Sequence, residues 1–545
     1  MLDTPEGYTA TDIVSRMKRM QGYNVLHPMG YDSFGLPAEQ YAVQTGNNPN
    51  GFTQTNIKTF TKQLQELGFD YDWSKMIATS DPEFYHWTQW IFKQLYKDGY
   101  AKYVDMPVNW CEELGTVLSN DEVIDGKSER GGYPVIRKNM KQLCIDQAAF
   151  AERLLEGLNE IDWPESTKEM QRNWIGRSTG VEVQFEIVGG GKFSIFTTCI
   201  ETIYGITFMV LAPDGDLVQE LMPRIKNQDE VKAYIQETVS KSEMDRTELN
   251  KGKTGCRLEG IKAINPVNGR EVEVFIGDFV LANYGTGAVM AVPSHDQRDF
   301  EYAIAHNIDR IQVIEGQDVS EHAFEKQDYL GKGCKLINSE EFTGLTVEEA
   351  KVAITKKLVD MGIAKETVNY RFREWIFARQ RYWGEPVPIV HLEDGTDYVL
   401  PDEELPLILP ELEDYKGHNG KAPLENATEW KQYNQNGVKG VRETSTMPGS
   451  AGSSWYYLRY IDPHNDKQLA NPELLKHWMP VDLYVGGPEH AVGHLMYSRI
   501  WNNYLYDKGI VACKEPFKKL VHQGMILGEN GLKWENDSLN MLSIL

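Results

Sequence analysis

Features of secreted, membrane-bound and disulfide-stabilised proteins are scarce in this sequence of 545 residues. Its six cysteines are widely scattered and form no CxxC pair, so neither a disulfide framework nor a structural zinc site is expected. The longest apolar runs, such as FMVLA, are far shorter than a membrane span. The first residues show no basic segment followed by an apolar one, so no secretion signal is predicted. We therefore expect a cytoplasmic protein that does not associate with membranes.

Positive charge is also in short supply, with 56 lysines and arginines against 80 aspartates and glutamates. The net charge of −24 disfavours a protein that binds nucleic acid over its whole surface. It leaves open a large acidic enzyme with a local basic groove for RNA, because only the residues that face phosphates need be positive. The length exceeds what one hydrophobic core supports and predicts about two to four domains.

The first part of the chain alternates helices with short apolar strands, which predicts a doubly wound α/β domain. The segment TATDIVSRMKRMQG predicts a helix with Ile13, Met17 and Met20 on one apolar face. A second helix begins after an Asp81-Pro82 start signal and ends before Gly99. Its predicted apolar stripe consists of Phe84, Trp87, Ile91 and Leu95.

The pattern changes near Gly180, where strict alternation in VEVQFEI and REVEVFIGDFVL predicts half-buried strands of a mixed or barrel-like β domain. Helices are predicted at residues 228–243 and from a capping box, Thr346 with Glu349, to Gly362. The α/β pattern returns near Asn369, so the middle domain is predicted to be inserted into an outer one. Residues 401–440 are interpreted as a surface excursion.

One segment that could carry chemistry is HPMGYDSFGLPAE, from His27 to Glu39, which follows a predicted strand. Ligands of open α/β sheets bind at the carboxyl ends of strands, and a carboxylate there can pair with an ammonium group. Asp32 is therefore a candidate for binding the amino group of an amino acid. A tight turn in which Asp32 caps a helix is the alternative, and spacing alone favours it.

A second candidate segment is VGGPEHAVGHLMYSR, in which His490 and His494 would share one face of a helix. Gly486 and Gly487 precede them, and a glycine pair before a helix start suits a phosphate or a nucleotide. The spacing of the histidines also fits a metal site, but the segment lacks a third ligand and the glutamate of zinc proteases.

A third segment mixes arginines with aromatic residues. This composition suits RNA through phosphate pairing and base stacking, and fits a core helix with solvated arginines equally well. Two further segments, FTTCIETIYG and YGTGAVMAVPSHDQRDF, carry threonines and aspartates that are most simply structural and capping residues. The arginine and aromatic residues of the third segment are Arg371, Phe372, Arg373, Trp375, Phe377, Arg379, Arg381, Tyr382 and Trp383.

Taken together, these strings resemble the leucyl-tRNA synthetases of bacterial type, which are class I aminoacyl-tRNA synthetases. The resemblance runs from Pro5 to about Gly531 and includes DSFGLPAE, RQRYWGEPVP, TMPGSAGSSWYYLRY and GGPEHAVGH. Phe34 and the TMPGSAGSSWY string favour the leucine enzymes over the isoleucine and valine enzymes. The family resemblance implies a Rossmann-type catalytic domain interrupted by an editing domain. The expected ranges are 1–178 and 370–545 for the catalytic domain, with a small non-zinc connective insertion at about 110–145, and 179–369 for the editing domain.

The resemblance also implies the substrates and the residues that bind them. The family joins leucine to tRNA(Leu) with Mg²⁺–ATP, and its members of this kind are expected to be monomers. Asp32 would bind the amino group of leucine, and Phe34, His490 and His494 would line the leucine pocket. The implied ATP-binding residues are Gly486, Gly487, Glu489 and Gln523.

In the inserted domain, the two threonine and aspartate segments resemble the walls of the family's editing pocket. Such a pocket is needed because one methylene changes binding by only roughly 1–3 kcal/mol. The resemblance implies that Thr202 excludes leucine, that Asp299 holds the amino group, and that a positioned water attacks the ester. The family string TTRPDT is TTCIET here, so a role of its arginine in RNA handling is in doubt. The other implied editing residues are Thr197, Thr198, Tyr284, Met290, Val292 and Asp296.

Two family motifs are not recognisable in this sequence. The residues before Pro5 do not form the HIGH-type motif, and LKWENDSLNMLSIL is unlike the KMSKS-type lysine loop that is expected after Gly531. Because the histidines of the first motif stabilise the transition state of adenylate formation, we expect severely impaired leucine activation. Hydrolysis of mischarged tRNA would survive. A fragment acting only as a deacylase and an inactive RNA-binding remnant are the alternatives.

Overall fold

A computed structural model of the chain describes residues 3–118, 123–124, 126–128, 131–239, 254–281, 286–417 and 421–523. The chain divides into two compact units, one formed by Gly176–Arg371 and the other by the residues before and after it. We call these the inserted unit and the outer unit. Within the described ranges, no helix has both the length and the apolar character that crossing a membrane requires.

The helices of the outer unit start and stop largely where capping residues and glycines predict. The helix Pro82–Lys97 has Asp81 at its N-cap, and the chain leaves it through Gly99 with φ of +81°. All the residues of its predicted apolar stripe are buried, which confirms that prediction. The other helices of four or more residues are Asp3–Met20, Leu36–Thr45, Pro49–Glu66, Ala151–Gly157, Glu165–Ile175, Thr428–Lys431, Ser450–Ser453, Tyr456–Arg459, Pro472–Trp478 and His494–Asp507.

The first helix forms as predicted, but it packs on a different face. Ile13, Met17 and Met20 share one face as predicted, but that face is exposed in the described part of the chain. The helix turns its polar residues inward because Ser15 donates a hydrogen bond to Oδ2 of Asp70 (3.0 Å). The inward face also carries Tyr8, whose ring packs edge-on against those of Phe69 and Tyr71.

The strands of the outer unit fall into several sheets. Pro28–Tyr31 pairs in parallel with Asp72–Ala78, and Tyr484–Val485 pairs in parallel with Leu520–Val521. Parallel pairing requires a crossover connection, and the candidate residues follow directly after the first strand of each pair. The antiparallel sheets contain Ala101–Cys111, Thr116–Leu118, Ile136–Ile145 and Trp375–Ile376, then Ile389–Leu392, Asp397–Val399, Gln432–Gln435 and Val438–Arg442, and finally the short pair Val123–Ile124 and Lys127–Ser128.

The inserted unit is built on a mixed sheet of seven strands among its described residues. In spatial order the strands are Ala288–Ala291, Phe208–Leu211, Glu271–Gly277, Gly255–Ile264, Ser178–Ile187 and Ala364–Asn369, with Lys192–Thr197 also paired to Ser178–Ile187. Only Phe208–Leu211 and Glu271–Gly277 pair in parallel. The strands Lys192–Thr197 and Ala288–Ala291 come close to each other, so the sheet curls towards a barrel.

The sequence patterns of the inserted unit are confirmed where the structure describes them. The alternating residues of VEVQFEI and REVEVFI face the core of this unit. The helix Gln228–Val239 matches the start of the predicted helix, whose remaining residues lie outside the described ranges. The capping box of Thr346 and Glu349 is formed at the start of Val347–Asp360. The unit's other helices are Asp216–Leu221, Gln297–Ala305 and Lys326–Tyr329.

Residues 401–440 are not simply the surface excursion that their composition predicts. Leu407 and Tyr433 are buried with Val390 and Leu400 in a small core beneath the sheet formed by Ile389–Leu392 and its neighbours. Leu424 packs in another cluster, together with Phe34. A few large apolar residues spaced among many polar ones are enough to tie this stretch to the outer unit.

The same small sheet carries a cluster of charged groups around one histidine. Nδ1 of His391 is hydrogen-bonded with Asp397 (2.7 Å), and its Nε2 is hydrogen-bonded with Glu443 (3.0 Å). The hydrogen bond with Glu443 raises the pKa of His391, although burial opposes it. Burial raises the pKa of Glu443, but hydrogen bonds from His391, Tyr103 and the Ser445 backbone overcome burial and lower it to about 2.

We expect His391→Gln to destabilise the protein more at pH 6 than at pH 9. The stabilisation by His391 is complete below its ordinary pKa and is lost as the pH rises through the raised folded value. Because His391 is partly exposed, the expected loss at pH 6 is about 1 kcal/mol. Thermal unfolding at both pH values measures it, with the exposed His477→Gln as control. Equal destabilisation at both pH values would contradict this prediction.

Candidate active sites

The first candidate site lies in the outer unit, where the strand Pro28–Tyr31 ends. Asp32 follows this strand, and Thr79, at the end of the paired strand, donates a hydrogen bond to its Oδ1 (3.2 Å). Asp32 as a residue is exposed to solvent, although protein groups surround its carboxyl. This enclosure raises the pKa of Asp32 to about 6, and hydrogen bonds from Thr79 and Ser453 oppose the rise. An enclosed carboxylate with an open side is suited to receive an ammonium group.

Residues of the DSFGLPAE segment other than Asp32 anchor the turn. Phe34 is buried, with its ring centroid 5.0 Å from that of Trp383 and 5.9 Å from that of Tyr85. The backbone nitrogen of Trp383 donates to Oε2 of Glu39 (2.9 Å), and its indole donates to the carbonyl of Ser33 (2.8 Å). Phe34 therefore packs in the core behind Asp32.

This packing also decides between the interpretations of the arginine and aromatic segment. Its aromatic rings are all buried, so they do not offer surfaces for stacking RNA bases. Phe377 stacks on Phe92, and Trp375 stacks on Tyr497 at 3.9 Å between centroids. The segment is not the predicted core helix either, because it contains only the short strand Trp375–Ile376 and irregular structure.

Tyrosines connect the surroundings of Asp32 with His494. Tyr456 interacts electrostatically with Asp32, and its hydroxyl is hydrogen-bonded with that of Tyr484. The hydroxyl of Tyr484 is in turn hydrogen-bonded with Nε2 of His494 (2.6 Å). Burial and the neighbouring His490 lower the pKa of His494 to about 3, so the imidazole is neutral at physiological pH. Tyr456 and Tyr484 thus link the surroundings of Asp32 with His494, and that both residues bind one substrate stays a prediction.

The two histidines do not share a helix, so that prediction is wrong. His490 ends the short 3-10 turn Pro488–His490, and the helix begins only at His494. The glycine pair and proline before them favour a tight turn over a helical start. Their ring centroids nevertheless lie 6.2 Å apart, and His490 is exposed whereas His494 is half-buried.

The glycine segment before the histidines is fixed by its neighbours. Gly486 donates from its backbone nitrogen to Val521 (3.2 Å), and its carbonyl is hydrogen-bonded with Nδ1 of His522 (2.7 Å). Glu489 is largely exposed, and Gln523 has a buried Oε1 without a partner in the described part of the chain. A fixed turn beside an orphaned amide oxygen can bind a nucleotide.

Sequence reasoning missed several residues of this site. Tyr456, Ser453 and Tyr484 lie in or beside strings that the sequence analysis identified, but no spacing rule assigns them a role. Glu385 is fully buried next to Asp32, and both its side-chain oxygens lack a partner among the described residues. A Cβ on Gly452 would come within 2.8 Å of Glu385 Oε1, which explains the glycine at that position.

The second candidate site lies in the inserted unit, where the strand Lys192–Thr197 ends. The backbone nitrogen of Cys199 donates to Oγ1 of Thr197 (3.0 Å), and Thr202 donates from its Oγ1 to the carbonyl of Cys199 (2.8 Å). Thr202 is buried in the 3-10 turn Ile200–Gly205, whereas Thr197 and Thr198 are half-buried. The three threonines therefore line one tight turn.

The other wall follows the strand Ala288–Ala291. The nitrogen of Thr207 donates to the carbonyl of Ala291 (3.3 Å), so the Thr202 turn and the residues after Ala291 lie at the same end of paired strands. Val292 joins the core cluster that contains Ile200 and Ile203, and half-buried Met290 packs against it. Tyr284 lies outside the described residues.

The two aspartates of this wall differ in their environment. Asp296 is the N-cap of Gln297–Ala305, accepts the nitrogens of Arg298 and Asp299, and forms an ion pair with Arg298. The carboxylate of Asp299 instead turns back to accept the nitrogen of Val292 (2.8 Å). Burial, together with the charge of Asp296, raises the pKa of Asp299 to about 8. Asp299 is therefore poised to gain from a cation, whereas Asp296 is occupied as a cap.

Two family models and a solved structure match this chain. The family described as tRNA synthetases class I (I, L, M and V) matches residues 7–203, and the family described as Leucyl-tRNA synthetase, editing domain, matches residues 172–359. A solved LeuRS from Agrobacterium radiobacter, in a ternary complex with tRNA and LeuAMS, is 33% identical with a TM-score of 0.84. The match covers 98% of this chain and 63% of that protein.

An α/β outer unit with an inserted β unit, matched in this way, defines the fold of a class I aminoacyl-tRNA synthetase: a Rossmann-type domain interrupted by an editing domain. The predicted fold class is thereby confirmed. The middle part of the chain thus matches the editing domain of the leucyl-tRNA synthetases, and the chain as a whole is similar in fold to a solved LeuRS.

Proposed function

We propose that the protein is a leucine–tRNA ligase with hydrolytic editing of mischarged tRNA. The proposal rests above all on the presence of two enclosed carboxylates, Asp32 in the outer unit and Asp299 in the inserted unit. Each has a raised pKa and thus gains from a bound ammonium group. A free amino acid and an aminoacyl ester both carry that group. The outer unit can therefore bind the amino acid and the inserted unit the ester, each through its own carboxylate.

In the synthetic site, Asp32 holds the amino group of leucine, and the tyrosines near it enclose the side chain. Neutral His494 is held in place by its hydrogen bond with the hydroxyl of Tyr484. The Gly486–Gly487 turn receives the second substrate, Mg²⁺–ATP. The carboxylate of leucine attacks the α-phosphate of ATP and forms leucyl-adenylate. The bond between the α- and β-phosphates breaks, and pyrophosphate leaves. The terminal ribose hydroxyl of tRNA(Leu) then takes the acyl group and releases AMP.

In the editing site, Asp299 holds the amino group of a wrong aminoacyl ester. Water attacks the ester carbonyl, the ribose hydroxyl leaves, and a free amino acid and uncharged tRNA result. Thr197 and Thr198 line the turn on which such a water can be oriented, and Thr202 closes the side that a branched leucine would occupy. The small, tightly bonded turn favours exclusion by shape, which is how a second site supplies the discrimination that one methylene cannot.

Ligand binding and ester hydrolysis test the two halves of this proposal separately. The protein is expected to bind LeuAMS by calorimetry more tightly than the isoleucyl analogue, and to hydrolyse norvalyl-tRNA faster than leucyl-tRNA. Hydrolysis without LeuAMS binding would indicate a deacylase alone. Tighter binding of the isoleucyl analogue would overturn the leucine assignment. Binding of tRNA with neither LeuAMS binding nor ester hydrolysis would overturn the proposal that the protein is an enzyme. We also propose that the protein is cytoplasmic and monomeric. Sedimentation tests the monomeric state.

A further inference from the structure

The turn that carries the editing threonines is held mainly by bonds within itself. Cys199 is its central residue, because its nitrogen binds Thr197 Oγ1 and its carbonyl accepts both the nitrogen and Oγ1 of Thr202. The position of Thr202 is therefore set by the position of the Cys199 peptide. The far end of the turn is fixed from outside, because Nδ2 of Asn265 donates to the carbonyl of Ile203 (2.9 Å), so the entry of the turn is the end that needs a second anchor.

An outside anchor is provided by Lys351. Its Nζ donates a hydrogen bond to the carbonyl of Thr198 at 2.8 Å, across 153 residues of sequence. A charged donor gives a stronger hydrogen bond to a carbonyl than a neutral one does. The Thr198 carbonyl belongs to the peptide that leads directly into Cys199, so the anchor acts at the entry of the turn.

The helix that presents Lys351 is itself rigidly placed. Val347–Asp360 starts with a complete capping box at Thr346 and buries Ala350, Ile354 and Leu358 in the core of the inserted unit. Lys351 follows Ala350 directly, so its Cα is fixed by that packing. A lysine on such a helix can hold a loop at a defined distance, which a lysine on a mobile segment cannot.

A counter-charge lies within the same turn. Glu201 is fully buried, and the hydroxyl of Tyr329 donates to its Oε1 (3.1 Å). Its Oε2 has no hydrogen-bond partner in the described part of the chain. The charge of Lys351 favours the ionised form of Glu201 against the cost of burial. Lys351 thus interacts with the turn at two positions, with the Thr198 carbonyl by a hydrogen bond and with Glu201 by its charge.

We infer that Lys351 is a positioning residue that sets the selectivity of the editing pocket. It fixes the Thr198 carbonyl, the Cys199 peptide follows, and Thr202 is held where it excludes leucine. The inference rests on the editing function proposed above. Loss of the ammonium group would let the turn relax, so that leucyl and norvalyl esters are distinguished less well.

The experiment compares three variants of the whole protein by their kcat/KM for norvalyl-tRNA and leucyl-tRNA. Lys351→Met keeps the apolar stem and removes the charge, and Lys351→Arg restores a charged donor. Lys356→Met is the matched control, because Lys356 lies on the same helix, is exposed, and pairs only with Asp360 among the described residues. We expect Lys351→Met to lower the ratio of the two kcat/KM values about tenfold or more.

The arginine variant should recover most of the lost ratio, and the control should match the unchanged protein. A merely structural role would lower both rates together and leave their ratio unchanged, and that result would overturn the inference. An unchanged ratio in Lys351→Met with unchanged rates would do the same. If the unaltered protein hydrolyses neither ester, the editing function itself fails, which is a separate and distinguishable result.

Discussion

Replacing Thr202 by alanine is expected to make the protein hydrolyse leucyl-tRNA. Thr202 is almost completely buried and closes its turn through the hydrogen bond from Oγ1 to the Cys199 carbonyl. Alanine removes both the hydroxyl and the methyl group, which opens a space for a branched side chain. Discrimination by one such group is worth roughly 10- to 200-fold, so the rate with leucyl-tRNA should rise by about that factor.

The measurement follows release of labelled leucine from charged tRNA, with norvalyl-tRNA as a parallel substrate. Thr207→Ala is the matched control, because Thr207 is also buried and lies at the end of the same turn. It should leave leucyl-tRNA intact. The pocket assignment would fail if Thr202→Ala still hydrolysed norvalyl-tRNA while leucyl-tRNA stayed stable.

Replacing Asp32 by asparagine is expected to weaken binding of LeuAMS by about 10- to 150-fold at pH 7.5 or above. The loss follows from exchanging a charge-assisted hydrogen bond to the ammonium group for a neutral one.

We also expect the binding of LeuAMS to depend on pH in the unaltered protein but not in Asp32→Asn. The pKa of Asp32 is raised to about 6, so the free carboxyl is largely protonated below that pH and ionised above it. Binding of LeuAMS should therefore strengthen between pH 5 and pH 7, at most about tenfold per pH unit, and Asp32→Asn should lack this rise.

Calorimetric titration of LeuAMS at several pH values measures both effects. Asp81→Asn serves as control, because Asp81 lies in the same unit and asparagine keeps an oxygen that can accept the hydrogen bond from Gln54. If the unaltered protein and Asp32→Asn bind LeuAMS with equal affinity, Asp32 does not bind the amino group.

The strands and most helices could be predicted from the sequence because their signals are local. The stripe on Pro82–Lys97 and the alternation in Ser178–Ile187 depend on residues only a few positions apart. The exposed apolar face of Asp3–Met20 shows where such signals stop. Its apolar residues carry the expected period, but Asp70, far along the chain, bonds to the opposite face: its carboxylate accepts from Ser15, and its backbone nitrogen donates to the carboxylate of Asp12.

For the sites, the motifs identified the pieces but not their mutual contacts. The strings around Asp32 and His494 predicted one site, and the structure joins them through Tyr456 and Tyr484, which no spacing rule singles out. Lys351 carries no sequence signal at all, because its partner Thr198 is reached only when helix and turn are folded together.

By itself the sequence determined the family resemblance and the insertion of one domain into another, because both depend on residue identity and local order. Which residues carry the chemistry stays a prediction. Only the tertiary structure decided which aspartates have raised pKa values, which aromatic rings are buried, and which lysine fixes the editing turn. Those properties arise from groups far apart in the chain that share one enclosed volume, where removal of water changes the free energy of every charge.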